Sequence, residues 1–140
     1  MKAALDSFVE LKGVIVMIKI KRIYKEPSPG DGKRILIDRL WPRGLKKEDA
    51  QIDEWMREIA PSSELRKWFN HDPDKWREFK RRFFLELEGK GELVQEIVTL
   101  ARRGTVTLLF GAKEERYNNA AALKEYADAK LHGSDRKNAA

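Results

Sequence analysis

The sequence predicts a single α/β domain, a small and largely parallel sheet covered by helices. Three observations lead there. Short apolar, β-branched runs alternate with stretches whose apolar residues recur at helical spacing. Strands separated by helix-length connections join as parallel crossovers. A chain of 140 residues, 41% hydrophobic and 37% charged, supports one core and not two.

Taken in order, residues 14–24 combine an apolar run with an alternation of Ile18 and Ile20 against Lys19 and Lys21, a strand with one face leaving the core. Residues 26–33 read as a turn, and 35–38 as a second strand. After Gly44 the period changes. Ile52, Trp55, Met56 and Ile59 fall at helical spacing, which predicts a helix ended by Pro61. Ser62 or Ser63 caps the next short helix, with Leu65, Trp68 and Phe69 on one face. The triplet His71, Asp72 and Pro73 reads as a corner, with Asp72 as N-cap and Pro73 in the first helical position. Trp76, Phe79, Phe83 and Leu87 form the stripe of the following helix, with Lys80, Arg81 and Arg82 on its solvated face. Leu93, Val94, Ile97, Val98 and Ala101 mark another helix, closed by Gly104. Residues 105–110, TVTLLF, suit a central strand buried on both faces. The last helix starts at Asn118 or Asn119 and turns Ala122, Leu123, Tyr126 and Ala127 inward. Residues 131–140 read as a disordered polar tail.

Composition narrows function. With no cysteine, a disulfide scaffold, thiolate catalysis and a cysteine metal site are excluded, and two distant histidines, His71 and His132, give poor support to a zinc cluster. No apolar run approaches the roughly 20 residues needed to span a bilayer, and residues 14–18 are too short for a secretory signal, so a cytoplasmic protein without membrane contact is expected. The net charge of +6 is uneven: residues 18–44 carry eight Lys or Arg against three acids, while 45–129 carry sixteen against seventeen. That basic third suits an anion, from a nucleotide to nucleic acid. The plainer reading is that Lys19, Lys21 and Lys25 keep an edge strand soluble.

In open α/β sheets ligands sit beyond the carboxyl ends of the strands. Two such ends are legible: Asp38, Arg39, Trp41, Arg43 and Gly44 after one strand, and Gly111, Ala112, Lys113, Glu114 and Glu115 after the other. Parallel neighbours would bring them together.

The runs DRLWPRGLKKED (38–49), DEWMREIAPSSELRKWFNHDP (53–73) and LLFGAKEERYNNAAALKEY (108–126) resemble the YeaO-like branch of the DUF488 family of uncharacterised proteins. The resemblance covers about residues 17–126, in order. It implies a compact cytoplasmic α/β domain over 17–130, with residues 1–16 an N-terminal extension or a start-codon choice, and it supplies no established activity or cofactor. Similar proteins usually have AKDEEHNNA where this chain has AKEERYNNA. Tyr117 thus replaces a histidine, so a base or metal ligand at that position would be lost here, while Lys113, Glu114 and Asn118 remain.

Each candidate has a chemical role and a structural one. Arg43, between Pro42 and Gly44, presents a planar fork suited to phosphate or carboxylate from a stiff backbone, and Arg39 shares that role or pairs with Asp38. Asp38 serves as a general base, orients Arg39 and Lys113, or caps its own loop. Trp41 stacks on a base or sugar, or belongs to the core. Lys113 and Glu114 form an acid/base pair or a structural one. His71 acts as acid/base or as a hydrogen-bonded corner. Neither GxGxxG nor a P-loop occurs, so an anion would be held by arginines and a helix N-terminus. Three functions follow: a small-molecule site for an anionic nucleotide, sugar phosphate or carboxylate, with or without catalysis; a nucleic-acid module; and a non-catalytic interaction domain.

Overall fold

The computed structural model describes residues 8–11 and 13–139. Residues 1–7, Lys12 and Ala140 lie outside the described residues, and with them part of the expected extension and the last position of the expected tail. Five strands form one sheet: β1 (Phe8–Leu11), β2 (Val14–Arg22), β3 (Lys33–Leu36), β4 (Glu54–Trp55) and β5 (Thr105–Phe110), in the order β1-β2-β5-β3-β4. β2, β5, β3 and β4 are parallel, whereas β1 pairs antiparallel with β2 across Gly13. The run at 105–110 is the central strand, with Val106 to Phe110 fully buried, as its unbroken apolar pattern requires.

Among the described residues five α-helices accompany the sheet: α1 (Lys47–Ala50), α2 (Ser63–Phe69), α3 (Trp76–Glu88), α4 (Gly91–Ala101) and α5 (Asn119–Ala139). Ser62 caps α2 by accepting the Leu65 N–H at 3.1 Å, and Asp72 accepts the Asp74 N–H at 3.0 Å in the 3-10 turn Pro73–Lys75 that leads into α3. Phe79, Phe83 and Leu87 of α3 pack with Val94, Ile97 and Val98 of α4 and Leu123 and Ala127 of α5 against Ile18, Ile35, Val106 and Leu108. Alternation along the strands sends Ile23, Leu36 and Leu109 to the other face, covered by Ala50, Trp41, Leu45, Ile52 and Trp55. α5 runs through the segment expected as a frayed tail, and Leu131 is buried.

The helix expected over 52–59 does not form. Gln51 adopts a left-handed φ of 47° and ends α1 after four residues. The chain then adds to the sheet: Asp53 N–H donates to the Arg34 carbonyl at 2.8 Å, Met56 N–H to the Leu36 carbonyl at 2.8 Å, and the Asp53 carboxylate accepts Arg34 N–H at 2.8 Å. Helical spacing was coincidental, because Ile52 and Trp55 pack on one face of the sheet and Met56 and Ile59 on the other. The second strand lies two residues earlier than expected, at Lys33–Leu36.

Nor do Lys19 and Lys21 protect an edge, since β2 lies between β1 and β5. Lys19 Nζ donates to the Gly30 carbonyl at 3.1 Å, and Lys21 Nζ to both oxygens of Asp31 at 3.1 Å. Asp31 is 2% exposed, pairs with Arg34 at 2.6 Å, and accepts the Ser28 N–H and hydroxyl, each at 3.0 Å. Arg34 in turn donates to the Gln51 and Ala50 carbonyls, and the Thr107 hydroxyl donates to the Asp31 carbonyl at 2.6 Å. This buried network locks the β2–β3 crossover beneath β5, placing Leu36 opposite Leu109. The residues that follow, Asp38 and Gly111, therefore leave the sheet side by side.

Candidate functional site

That register builds the site. Asp38 Oδ2 accepts the Gly111 N–H at 2.8 Å and Oδ1 accepts Asn119 Nδ2 at 3.1 Å, tying the ends of β3 and β5 to the start of α5. Gly111 permits the approach, since a Cβ there would lie 3.2 Å from Asp38 Oδ2. Burial raises the Asp38 carboxyl above its ordinary range, against the opposing pull of Asn119, the Gly111 N–H and the Arg66 charge.

Asp38 forms part of the wall of a cavity of about 220 Å³ beyond the carboxyl ends of the strands. Half of its lining residues are apolar, Leu40, Ala60, Pro61, Phe69, Phe79 and Ala112, and the Phe69 and Phe79 rings stack at 4.3 Å. The rest are polar: Asp38, Arg39, Arg66, His71, Asn118 and Asn119. Arg39 Nη2 donates to the Ala60 carbonyl at 3.3 Å, yet its Nε is buried without a hydrogen-bond partner. Lys90 Nζ donates to that same carbonyl at 2.8 Å. Burial lowers the Lys90 ammonium pKa, which Glu86 and Glu58 raise and the Arg39 charge lowers further. A partly buried guanidinium with an unpartnered donor favours an anion beside it.

His71 reaches the cavity from strained backbone. Asn70 and His71 are both left-handed, with φ of 47° and 54°, and turn the chain sharply after α2. Non-glycine residues in this conformation cost on the order of 1–2 kcal/mol each, and such strain gathers at binding sites.

Asn118 lines the cavity while buried as the cap of α5, its Oδ1 accepting the Ala121 N–H and its Nδ2 donating to the Glu114 carbonyl, both at 2.8 Å. The other expected residues are dispersed. Trp41 packs edge-on to Trp55 at 5.4 Å and donates from Nε1 to the Leu45 carbonyl at 2.7 Å, on the face with Leu36 and Leu109. Arg43 and Gly44 are exposed outside the cavity lining, with Gly44 at φ 76° and the Arg43 carbonyl accepting the Tyr24 hydroxyl at 2.7 Å. Lys113 is exposed, and the Glu114 carboxylate accepts the Arg116 N–H at 2.9 Å; neither lines the cavity. Tyr117, at the usual histidine position, packs 5.5 Å from Trp76. Among the described residues no three histidine, aspartate or glutamate side chains group closely enough to hold a metal ion, and no helix is long and apolar enough to cross a membrane.

Reading by residue type missed Arg66 and the second role of the asparagines. Arg66 sits among other charges in ELRKW, so only the placement of α2 distinguishes it. For Asn118 and Asn119 a signal existed: one residue caps a helix, leaving its neighbour for another partner, here Asp38.

A compact α/β domain with a mixed apolar and cationic cavity at its strand ends is the class defined by fold and site. The chain belongs to the DUF488 family: the profile described as "Inactive DUF488-N3 subclade" matches residues 17–140. It is 39% identical over 109 residues to the uncharacterized protein YeaO of Escherichia coli K12, covering 78% of this chain and 95% of that protein. It is 35% identical over 108 residues to an uncharacterized protein of Mycobacterium tuberculosis strain H37Rv, covering 77% of this chain and 91% of the relative. No solved structure matches.

Proposed function

We propose that the cavity beyond β3 and β5 binds a small anionic ligand, without turnover. The observation that carries this reading is the buried, unpartnered Nε of Arg39, in a cavity that Arg66 and His71 also line. An anion in the cavity meets the charge of that guanidinium, which folding has already partly desolvated. Asp38, with Asn119 and Gly111, orients the site, while Lys113 and Glu114 stand apart from it, which supports binding over acid/base catalysis. The "inactive" in the family description and Tyr117 at the usual histidine position support the same choice. A small ligand is favoured over nucleic acid because Lys19, Lys21 and Arg34, which add to the basic N-terminal third, are engaged in holding the Asp31 turn.

The test is a thermal-shift panel of nucleotides, sugar phosphates, carboxylates and short oligonucleotides at two salt concentrations, on wild type, Arg39→Ala and Arg43→Ala. Ligand at about 100 times its Kd adds ~2.7 kcal/mol, which for a domain of this size raises Tm by about 9 °C. The expected result is a small-anion shift lost in Arg39→Ala and kept in Arg43→Ala. Loss only in Arg43→Ala moves the ligand to the 38–44 loop. A shift confined to oligonucleotides at low salt replaces this reading with nucleic-acid binding.

A further inference from the structure

Resting on that anion-site reading, we infer that the cavity selects a single-ring monoanion, an aromatic or cyclic carboxylate, over phosphate esters, and that Asp38 is the residue that sets this choice. Two observations carry it. The first is charge. Arg39 and Arg66 bring two positive charges to the cavity wall and Asp38 one negative, leaving +1 before His71 is counted. Lys90 stands behind the Ala60 carbonyl and is balanced by Glu86 and Glu58. A carboxylate neutralises the remaining charge. A phosphate monoester, carrying about −1.5 to −2 near neutral pH, leaves negative charge against the Asp38 carboxylate in a partly desolvated site, where like charges are penalised most. Both Asp38 oxygens accept a hydrogen bond, from Gly111 N–H and Asn119, so the carboxylate is held in place and cannot swing away from an incoming anion.

The second is shape. At about 220 Å³ the cavity falls below the roughly 300–1,000 Å³ of sites for drug-sized ligands. It therefore takes one ring, and a dinucleotide is too large. The lining also includes Leu40, 61% exposed, with Ala112 and the edges of the buried Phe69 and Phe79 rings. An exposed leucine in the lining offers apolar area to a ring and nothing to a bare inorganic ion.

Calorimetric titration of the full chain with benzoate, cyclohexanecarboxylate, acetate, phenyl phosphate and inorganic phosphate tests both parts. The expected order places the two ring carboxylates at least tenfold tighter than either acetate or phenyl phosphate, with phenyl phosphate at least as tight as inorganic phosphate. In Asp38→Asn the preference for benzoate over phenyl phosphate falls by about tenfold, ~1.4 kcal/mol. Arg66→Gln, at an exposed helix position where folding is undisturbed, shifts it the other way, weakening phenyl phosphate more than benzoate. Phenyl phosphate equal to or tighter than benzoate in wild type overturns the monoanion inference and leaves the anion site standing. Acetate equal to benzoate overturns the ring. A benzoate preference unmoved in Arg66→Gln, or in a folded Asp38→Asn, removes charge balance as its cause. Binding by none of these anions, with none in the wider panel, overturns the parent reading as well.

Discussion

Asp31→Ala tests whether the buried network beneath the β2–β3 crossover holds the sheet together. The substitution removes a carboxylate that is 2% exposed and deletes its bonds to Lys21, Arg34 and Ser28. Burial by itself would raise the Asp31 pKa; the Ser28 N–H, Lys21, Arg34 and the Ser28 hydroxyl outweigh it and bring the pKa from 3.8 to about 2. At 1.36 kcal/mol per pKa unit that depression corresponds to roughly 2 kcal/mol of stability at neutral pH. Because the folded value is depressed, this contribution is complete above pH 4 or so and is lost as pH falls through about 2. The same pair seen from Arg34, whose side chain is 6% exposed and keeps its charge without the counterion, costs roughly 3–5 kcal/mol in other buried pairs, which sets the upper bound. A loss of ~2–5 kcal/mol is therefore expected. At ~2.1 cal/mol/K per residue the unfolding entropy of this chain is ~0.3 kcal/mol/K, so Tm falls by about 7–17 °C. Circular dichroism melts at pH 7 measure this directly. Asp31→Ala combined with Arg34→Met should recover part of the loss, because no buried charge is then left unpaired. A fall of less than 2 °C, or strict additivity in the double variant, refutes the network as the lock of the crossover.

Two further outcomes follow from the same chain geometry. Gly32 has φ +63°, and a Cβ there would overlap the Thr105 carbonyl group, whose carbon lies 2.8 Å away, so Gly32→Ala should cost ~2–5 kcal/mol through the left-handed backbone and the forced shift of β5, read from urea unfolding at constant m. An unchanged midpoint would mean that the crossover turn packs elsewhere. Burial, and then the hydrogen bond and charge of Glu96, raise the Glu54 carboxyl above its ordinary 4.5; the folded state thus keeps a proton that the unfolded chain has lost, and stability declines as pH rises from 4.5 through the folded value. Glu54→Gln should flatten that limb and stabilise the protein at pH 7, and Tm against pH from 4 to 8 would contradict this if the two curves ran parallel.

Alternation and spacing were enough for β2, β5, α2, α3, α4 and the start of α5, because each buries a regular stripe of its own residues against the sheet. They failed between Gly44 and Pro61. There Ile52, Trp55, Met56 and Ile59 have helical spacing but serve two different faces of the sheet, and no local pattern reveals a two-residue strand held by Arg34 and Leu36 from elsewhere in the chain. The site divides in the same way. That polar groups follow two strand ends was readable from the sequence, their convergence only on the condition that the strands are parallel neighbours, and Asp38, Arg39, His71 and Asn118 do line the cavity. Trp41 has the same residue chemistry as a ligand-binding group, yet the fold uses it as a core contact.

By itself, then, the sequence determined the class of fold, the central strand and the family, since these depend on residue type and period along the chain, and it marked two loops as candidates for a site. Only the tertiary structure decided which side chains share the cavity. Arg66 and Asn119 enter it and Arg43 and Lys113 do not, because the register of β3 on β5 and the sharp turn at Asn70 and His71 are set by contacts between segments distant in sequence.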